Sequence, residues 1–243
     1  MYDQISVVIP CFNEGETIHR NIEKINSYLK NSFRIFEIIA VNDGSTDDTL
    51  DELKRARRDF SIEIIDNSTN AGKGKAVRDG IMRSRYGLVM FLDADLAIPI
   101  EELEKFAMAI SQGCDIAIAS RFVPGLKVLT PVLWYRKIME RAFRMLRKII
   151  HNSWKIEDTQ CGFKVFRRDV AQKIFSRATV NRFAFDAEII FIAKKLGYAI
   201  KELPITLQNP RTTHIRIFFD PLNMFIALLE IRHNDIRGIY RWK

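Results

Sequence analysis

The sequence predicts an α/β protein whose mostly parallel, open sheet is covered by helices on both faces. Short apolar runs rich in β-branched residues alternate with segments whose apolar residues recur at helical spacing. The links between them are short, and no internal repeat or low-complexity linker interrupts them. Strands connected in this way through helices pair in parallel and are buried on both faces. At 243 residues, 47% of them hydrophobic, the chain is long enough to bury a substantial core.

Five strands are predicted in the first 120 residues, and the second and fourth are apolar enough to be buried on both faces. They span residues 5–9, 36–41, 62–65, 88–92 and 115–119. Helices are predicted between them. The first has an apolar face formed by Ile18, Ile22, Ile25 and Leu29. Another is predicted over residues 46–58 with Ser45 as its cap, and a further helix is expected to begin at Pro99.

The pattern is less regular beyond residue 120. A basic helix is predicted near residues 133–150, a second helix near 185–196 and a strand over 199–207. The segment DTQCGFKVFRRD, residues 158–169, is assigned to no element.

We predict one domain in two halves, followed by a basic amphipathic segment. The first half is a Rossmann-like nucleotide-binding unit. The domain spans residues 1–215, its halves span 1–120 and 121–215, and the C-terminal segment spans 216–243.

The predicted strand over residues 88–92 leads directly into Asp93-Ala94-Asp95. If the backbone stays extended there, both carboxylates project to the same side, just beyond the carboxyl end of the strand. Ligands of open α/β sheets bind at this edge. Two hard oxygen ligands suit Mg²⁺ or Mn²⁺ held jointly with substrate phosphates. The alternative is that these acids only form a turn, since Asp95 lies too early to cap a helix that begins at Pro99.

Polar loops leave the carboxyl ends of strands one, two and four, so their side chains are expected to lie along one edge of the sheet. The first loop carries Asn13 and Glu14, and the second carries Asn42 and Asp43. Each loop alone is explained as well by a turn, and only their proximity favours a site. The loop NAGKGKA departs from the P-loop pattern, but its glycines and Lys73 before a helix form a weak anion site.

The net charge of +8 and the pI near 9.4 indicate an anionic partner, which is a nucleic acid, an acidic membrane surface or a phosphorylated substrate. Arg121, after the fifth strand, either meets such an anion or lies in solvent. The basic cluster at 54–58 lacks interleaved aromatic residues, which argues against nucleic acid. Three cysteines without a C-x-x-C pair fit a reducing compartment. No apolar stretch reaches the roughly 18 residues of a membrane-spanning helix.

Six segments match motifs of a known family. They are SVVIPCFNEGETI, EIIAVNDGSTDDT, NAGKGKAVRDG, FLDADLAIP, ASRF and DTQCGFKVFRRD. Together, over residues 5–207, they resemble the family-2 glycosyltransferases with the GT-A fold, and within these the polyprenyl-phosphate group, the dolichyl-phosphate glucosyl- and mannosyltransferases. The resemblance implies an inverting hexosyl transfer from a nucleoside-diphosphate sugar to polyprenyl or dolichyl phosphate, with Mg²⁺ or Mn²⁺ as cofactor. UDP-glucose is the expected donor, and GDP-mannose is the second choice.

The resemblance also implies roles for individual residues, to which the loop lysine is added. The nucleotide-binding residues are Pro10, Phe12, Glu14, Val41, Asp43, Lys73, Asp93 and Ala94. The metal ligands are Asp93 and Asp95. The catalytic residues are Asp95, Arg121, Asp158 and Gln160. Arg121 is expected to meet the acceptor phosphate. Near the end of the match, NPRTTHI replaces the basic Ser-Lys element of the family, and Arg211 and His214 are expected to take its place at the acceptor phosphate. Phe12 stands where a tyrosine is common and keeps a ring for stacking. Asn42 stands where the first of two aspartates is usual, which leaves Asp43 intact but the identity of the base undetermined.

Two segments have the composition of helices that lie on a membrane surface. Residues 136–150 carry six basic residues and an apolar stripe formed by Ile138, Ala142, Met145 and Ile149. Residues 216–243 are similar. Helices that pack on the core with a solvated basic face explain both equally well. Because the implied acceptor is a lipid, we expect a peripheral protein on the cytoplasmic face of a membrane. Its expected partners are acidic lipids and a separate membrane-embedded subunit, and not nucleic acid.

The implied chemistry agrees with the residues. Cleavage of a sugar–diphosphate bond requires a divalent ion that stabilises the leaving group, whereas an ionised lipid phosphate needs no strong general base. Three other functions are consistent with the sequence. They are transfer to a soluble saccharide, binding of nucleic acid by the basic surface, and an inactive scaffold with the same fold.

Overall fold

The computed structural model describes residues 2–129, 134–208 and 219–241, and its central element is a seven-stranded sheet. Its strands in chain order are Gln4–Cys11 (β1), Ile35–Asp43 (β2), Ile62–Asn67 (β3), Leu88–Leu92 (β4), Ile116–Ser120 (β5), Phe163–Arg167 (β7) and Ile200–Pro204 (β8). A separate parallel pair consists of Lys127–Val128 (β6) and Thr206–Leu207 (β9). The order in the large sheet is β3-β2-β1-β4-β7-β5-β8, and only β7 is antiparallel to its neighbours. The predicted fold class is confirmed.

Helices cover both faces of this sheet. They are Ile18–Ser32 (α1), Thr49–Asp59 (α2), Lys73–Arg83 (α3), Leu103–Ser111 (α4), Trp134–His151 (α5), Arg168–Phe175 (α6), Phe185–Lys195 (α7) and Phe219–Ile236 (α8). The buried residues of α1, α2 and α4 form one core with the sheet. Those of α3, α6 and α7 form a second core on the opposite face. α5 packs against α8.

β4 is held in place by aromatic packing. Its five residues are all buried, and the ring of Phe91 contacts those of Phe166, Phe175 and Phe185 at centroid distances of 5.7–6.4 Å. These rings come from β7, α6 and α7, so one residue ties β4 to three elements that are distant in sequence. Truncating such a core phenylalanine costs about 3–5 kcal/mol. The carboxyl end of β4 is therefore a rigid position.

The helix predicted over residues 46–58 with Ser45 as its cap begins later, at Thr49. The Ser45 hydroxyl accepts a hydrogen bond from the backbone N–H of Asn13, in the loop after β1, at 3.1 Å. The cap assignment is wrong because this side chain joins two loops instead of closing a helix end.

Pro99 does not begin a helix either. Its ψ of 141° is extended, and it precedes a 3₁₀ turn over Ile100–Glu102 that leads into α4. The prediction missed this intervening turn.

The segment left unassigned in sequence contains β7, which lies between β4 and β5. An antiparallel strand inserted from a distant part of the chain leaves no mark on the local alternation of strands and helices. Because β7 comes from the second half of the chain, both halves contribute to one sheet. The division at residue 120 stays a prediction. The single strand predicted over 199–207 forms two strands, β8 and β9.

Candidate active site

The loops after β1, β2 and β4 lie together at the carboxyl edge of the sheet, as predicted. β1 pairs with both β2 and β4. The side-chain oxygen of Asn13 accepts a hydrogen bond from Thr46 N at 2.9 Å, which links the first two loops. Asn21, buried on α1, donates its amide to the carbonyl of Ala94 at 2.8 Å and so holds the loop after β4. One continuous polar edge results.

The extended arrangement expected for Asp93 and Asp95 is wrong. β4 ends at Leu92, the chain turns at Ala94 and Asp95, and Leu96 has φ +50°. The Asp95 carboxylate accepts a hydrogen bond from Ala97 N at 3.0 Å within this turn. The turn that was the alternative interpretation therefore exists, and it positions the second carboxylate.

Asp93 lies between a lysine and a glycine. Its carboxylate forms an ion pair with the ammonium group of Lys73, the first residue of α3. Its N–H donates to Gly162 O at 3.0 Å, and a Cβ added at Gly162 would stand 2.1 Å from Asp93 Oδ2. The carboxylate thus rests on the Gly162 backbone, at a place where only glycine fits.

The electrostatics favour a charged Lys73. Burial by itself would lower the pKa of the Lys73 ammonium, but the carboxylate of Asp93, followed by those of Asp186 and Asp95, raises this pKa above its ordinary value. The carboxylate of Asp93 thus favours the charged form of Lys73 beside the predicted metal ligands.

The donor set fits a divalent cation. The Asp93 side chain is 40% exposed, yet its Oδ1 is buried and, apart from the ion pair with Lys73, has no hydrogen-bond partner among the described residues. Within the described ranges, no three His, Cys, Asp or Glu side chains converge as a complete metal site. Asp93 and Asp95 would then supply two hard oxygen ligands, and water or phosphate oxygens the remainder. Mg²⁺ and Mn²⁺ accept such coordination when they bind with a substrate's phosphates.

Asp43 holds the loop before α3. It is buried, and its two carboxylate oxygens accept hydrogen bonds from Ala71 N at 3.0 Å and Gly72 N at 2.8 Å. Asn70 also donates to the Asp43 carbonyl at 3.3 Å. The predicted contact between Asp43 and a base stays a prediction, whereas the observed contacts fix the loop that delivers Lys73.

The other predicted nucleotide-binding residues differ in accessibility. Phe12 is 43% exposed at the end of β1, where its ring is available for stacking. The carbonyl of Glu14 accepts hydrogen bonds from the first turn of α1, at 3.0 Å from Thr17 N. Pro10 is half-buried and Ala94 is buried. The side chain of Val41 is fully buried against α3, so only its backbone could face a ligand.

Arg121 and Asp158, both predicted as catalytic residues, form a bidentate ion pair with each other. Arg121 Nε and Nη2 donate to the two Asp158 oxygens at 2.7 and 3.1 Å, and Arg121 N donates to one of them at 3.1 Å. Burial would raise the pKa of Asp158, but the guanidinium of Arg121 lowers it. Glu140, on α5, takes the remaining end of the guanidinium.

Gln160 and its neighbour Thr159 present unpaired polar atoms. Gln160 Nε2 and Thr159 Oγ1 are buried and have no hydrogen-bond partner in the part of the chain that the structure describes. A buried polar atom without a partner is costly and calls for a ligand or water. Both residues precede Gly162, whose carbonyl accepts a hydrogen bond from Asp93 N, so these atoms lie in the segment that contacts Asp93. Arg211 and His214, predicted to meet the acceptor phosphate, lie outside the described residues.

Sequence reasoning missed four residues that contact this site. Thr159, Glu140, Lys164 and Asp186 were assigned no role. Lys164 had a detectable signal, because it is a lysine inside the apolar run FKVF. Thr159 gave none beyond its place between Asp158 and Gln160. Glu140 and Asp186 gave none, because their contacts join elements that are far apart in sequence.

The chain belongs to glycosyl transferase family 2, whose domain matches residues 6–175. The family predicted from the motifs is confirmed, and with it the class of enzyme.

Relatives extend this similarity over most of the chain. A dolichyl-phosphate beta-glucosyltransferase of Saccharomyces cerevisiae is 34% identical over 98% of this chain and 76% of its own. The human protein of the same name is 29% identical, and the match covers 98% of this chain and 78% of the human one. A dolichyl-phosphate beta-glucosyltransferase of Trichomonas vaginalis is 34% identical over 83% of this chain, which spans 64% of that protein.

Solved structures share the fold. Glucosyl-3-phosphoglycerate synthase from Mycobacterium tuberculosis, crystallised with Mn²⁺, UDP and glucosyl-3-phosphoglycerate, superimposes with a TM-score of 0.68. It is 17% identical, and the match covers 95% of this chain and 80% of that one. The same enzyme with Mn²⁺, UDP-glucose and glycerol 3-phosphate gives a TM-score of 0.65 at 16% identity, with the same coverage.

Proposed function

We propose that the protein transfers glucose from UDP-glucose to the phosphate of dolichol or a related polyprenol, in an inverting reaction that uses Mg²⁺ or Mn²⁺. The observation that carries the proposal is the carboxylate of Asp93. It lies at the carboxyl end of β4, and among the described residues its buried oxygen is paired only with the cation of Lys73. The names of the similar proteins favour UDP-glucose and dolichyl phosphate. GDP-mannose is the second candidate donor.

The first group of residues handles the donor. Phe12 would stack on the base, and the loop held by Asp43 brings Lys73 to the diphosphate. Asp93 and Asp95 would hold the divalent ion, which when bound supplies positive charge for the leaving diphosphate. Lys73 adds a second positive charge at the same place, because its Asp93 partner is then shared with the metal.

The second group handles the acceptor. An oxygen of the lipid phosphate forms a bond to the anomeric carbon, while the bond from that carbon to the diphosphate oxygen breaks and its electron pair leaves with UDP. The phosphate is already ionised, so no proton has to be removed. Arg121, oriented by Asp158, would bind this phosphate in place of Glu140, and Thr159 and Gln160 offer the unpaired polar atoms nearby.

We also propose that α5 and α8 contact the membrane that contains the acceptor. None of the described helices is both long and apolar enough to cross a bilayer. Of the predicted apolar stripe on α5, the described members Ala142, Met145 and Ile149 are exposed, whereas the basic Arg147 is buried. The exposure of these three side chains favours contact with a membrane over packing on the core. On α8, Ile226 is exposed as well. Acidic lipids, a cytoplasmic location and a membrane-embedded subunit stay predictions.

The test is transfer of labelled glucose from UDP-glucose to dolichyl phosphate in detergent micelles, with Mn²⁺ or Mg²⁺ and with dolichol as the control that lacks the phosphate. We expect a lipid-linked β-glucoside that depends on the metal, and no product with dolichol. Labelled GDP-mannose is tested in parallel, and its preferential use would change the donor. Transfer only to soluble saccharides would show that the acceptor is not a lipid phosphate. If no nucleotide sugar supports transfer, the protein is an inactive scaffold with the same fold.

A further inference from the structure

A buried pair of opposite charges lies beneath the candidate site. Lys164, on β7, is 0% exposed, and its ammonium donates to Oδ1 of Asp186, in the first turn of α7, at 2.5 Å. Asp186 is buried too. The ammonium also lies 5.1 Å from the ring centroid of Phe91 on β4.

Stability alone does not explain such a pair. Removing two charges from water costs several kcal/mol per ion, and apolar side chains of similar volume serve a core as well or better. The residues on either side of Lys164 in its strand are apolar, so an apolar residue would fit the local pattern. The function of the pair is therefore to be found in its contacts with neighbouring residues.

Lys164 contacts the backbone segment that supports Asp93. Its ammonium donates a second hydrogen bond, to the carbonyl of Cys161 at 2.6 Å. The next residue, Gly162, accepts the Asp93 N–H and carries the Asp93 carboxylate on its backbone. Lys164 thus fixes the peptide on which the carboxylate rests.

Asp186 fixes the position of the Lys164 ammonium. Its Oδ1, in the first turn of α7, accepts one hydrogen bond from that group while the Cys161 carbonyl accepts another. Without Asp186, the buried ammonium would lose its ion-pair partner and would no longer be held against the Cys161 carbonyl.

We propose that Lys164 and Asp186 are positioning residues that hold Asp93 ready for a divalent cation bound with a nucleoside diphosphate. Lys164 orients the carboxylate through Cys161 and Gly162, and Asp186 holds the Lys164 ammonium in place for that contact. The inference rests on the proposed function, because it concerns the same metal-dependent site.

The test measures binding of Mn²⁺ to the full chain by isothermal titration calorimetry, in the presence of saturating UDP, together with the melting temperature. The variants are Asp186→Asn, Lys164→Met and the double variant. Residues behind metal ligands typically change metal affinity by about 10–100-fold, so we expect the Kd for Mn²⁺ to rise about 10-fold or more in each. The double variant should recover melting temperature lost by the single ones, because it leaves no unpaired buried charge, but it should not recover affinity.

Glu37→Gln is the matched control. Glu37 is buried at the opposite end of the sheet, where it pairs with Arg85 at 2.6 Å and accepts from Ser6 at 2.6 Å. Its replacement should lower the melting temperature without changing the Kd for Mn²⁺. Lys164→Arg, which keeps the charge, should restore part of the affinity lost in Lys164→Met.

The outcomes separate the two proposals. If the wild type binds Mn²⁺ with UDP and the variants bind it equally well, the positioning role is overturned and the proposed function stands. If the wild type itself binds no Mn²⁺ with UDP, the proposed function fails and this inference with it. Should the variants carrying Lys164→Met not fold, Asp186→Asn decides, because it keeps the shape of the side chain.

Discussion

The two sides of the candidate site are held by different interactions. On the side of β1, β2 and α3, polar side chains bind backbone groups: Asp43 accepts from Ala71 N and Gly72 N, and Asn21 donates to Ala94 O. On the side of β5, α5 and β7, charged side chains bind each other, as Arg121 does with Asp158 and Glu140.

This difference predicts different behaviour on binding. A hydrogen bond between a carboxylate and backbone N–H groups shapes a loop and cannot be exchanged without moving that loop. An ion pair between a partly exposed arginine and a glutamate can be exchanged, because an acceptor phosphate offers the same bidentate contact. We infer that the side of β1, β2 and α3, which we propose to bind the nucleotide (the nucleotide side), is preformed. The side of β5, α5 and β7, which we propose to bind the acceptor (the acceptor side), rearranges.

The largest effect is expected where the two sides meet, at Asp93. Asp93→Asn should lower the rate of glucosyl transfer by about 10²–10³-fold, because it weakens the site for the divalent ion that would stabilise the charge of the leaving diphosphate. Initial rates with saturating donor and acceptor measure this. Asp79→Asn is the control, because Asp79 pairs with Lys75 on the same helix as Lys73 but away from the carboxyl edge. Equal losses of transfer rate in both variants would show that Asp93 has no specific role in the reaction.

The acceptor side should lose stability in acid through His151. The pKa of His151 is lowered from 6.5 to about 4, mainly by burial. The cations Arg147 and Arg232 add to this shift, whereas the carbonyl of Leu228 and the carboxylate of Asp235 partly offset it. The unfolded chain takes up the proton near pH 6.5 and the folded chain only near 4. The contribution of His151 to the unfolding free energy is therefore fully present above pH 6.5. It falls by up to about 3 kcal/mol as the pH drops towards 4.

Urea unfolding of the wild type and His151→Gln, above pH 6.5 and again between 6.5 and 4, tests this prediction. The difference in unfolding free energy between the two proteins should shrink in acid, since the variant has no proton to gain there. A constant difference would show that His151 does not titrate in this range.

The nucleotide side should respond to Asp43→Asn. The amide keeps one acceptor oxygen and loses the charge, so one of the two bonds to the loop before α3 is weakened or lost. We expect a loss of about 1–3 kcal/mol in unfolding free energy and weaker binding of UDP. Denaturant unfolding and calorimetry measure these two quantities. Asp66→Asn is the control, because Asp66 is exposed near the end of β3 and its carboxylate accepts from the side chain of Asn42 instead of from the loop before α3.

The smallest effect is expected for Glu140→Gln. Arg121 and Glu140 are both partly exposed, and such pairs contribute about 0–1 kcal/mol, so the melting temperature should hardly change. The KM for the lipid phosphate should fall, since a competitor for Arg121 is neutralised, while kcat stays the same. Glu157→Gln is the control, because Glu157 pairs with Arg144 and Lys148 and not with Arg121. An increase in KM would mean that Glu140 helps to orient Arg121.

Much of the candidate site could be predicted from sequence, since it lies at strand ends. The buried run over β4 predicts both the strand and the position of Asp93, because a parallel strand delivers the residues after it to the carboxyl edge. The direction of Asp95 could not be predicted in the same way. It depends on a turn after Leu92, and the choice between turn and extended chain is decided by contacts such as that of Asn21 with Ala94 O.

The alternation of strands and helices, the family motifs and the acids after β4 were determined by the sequence itself, because each is a local pattern of residues. The antiparallel position of β7, the ion pairs of Arg121 and the buried pair of Lys164 and Asp186 were decided only by the tertiary structure. Each of these joins segments that are distant along the chain. Which charges become neighbours there depends on the packing of the whole sheet and its helices, which no local pattern of residues encodes.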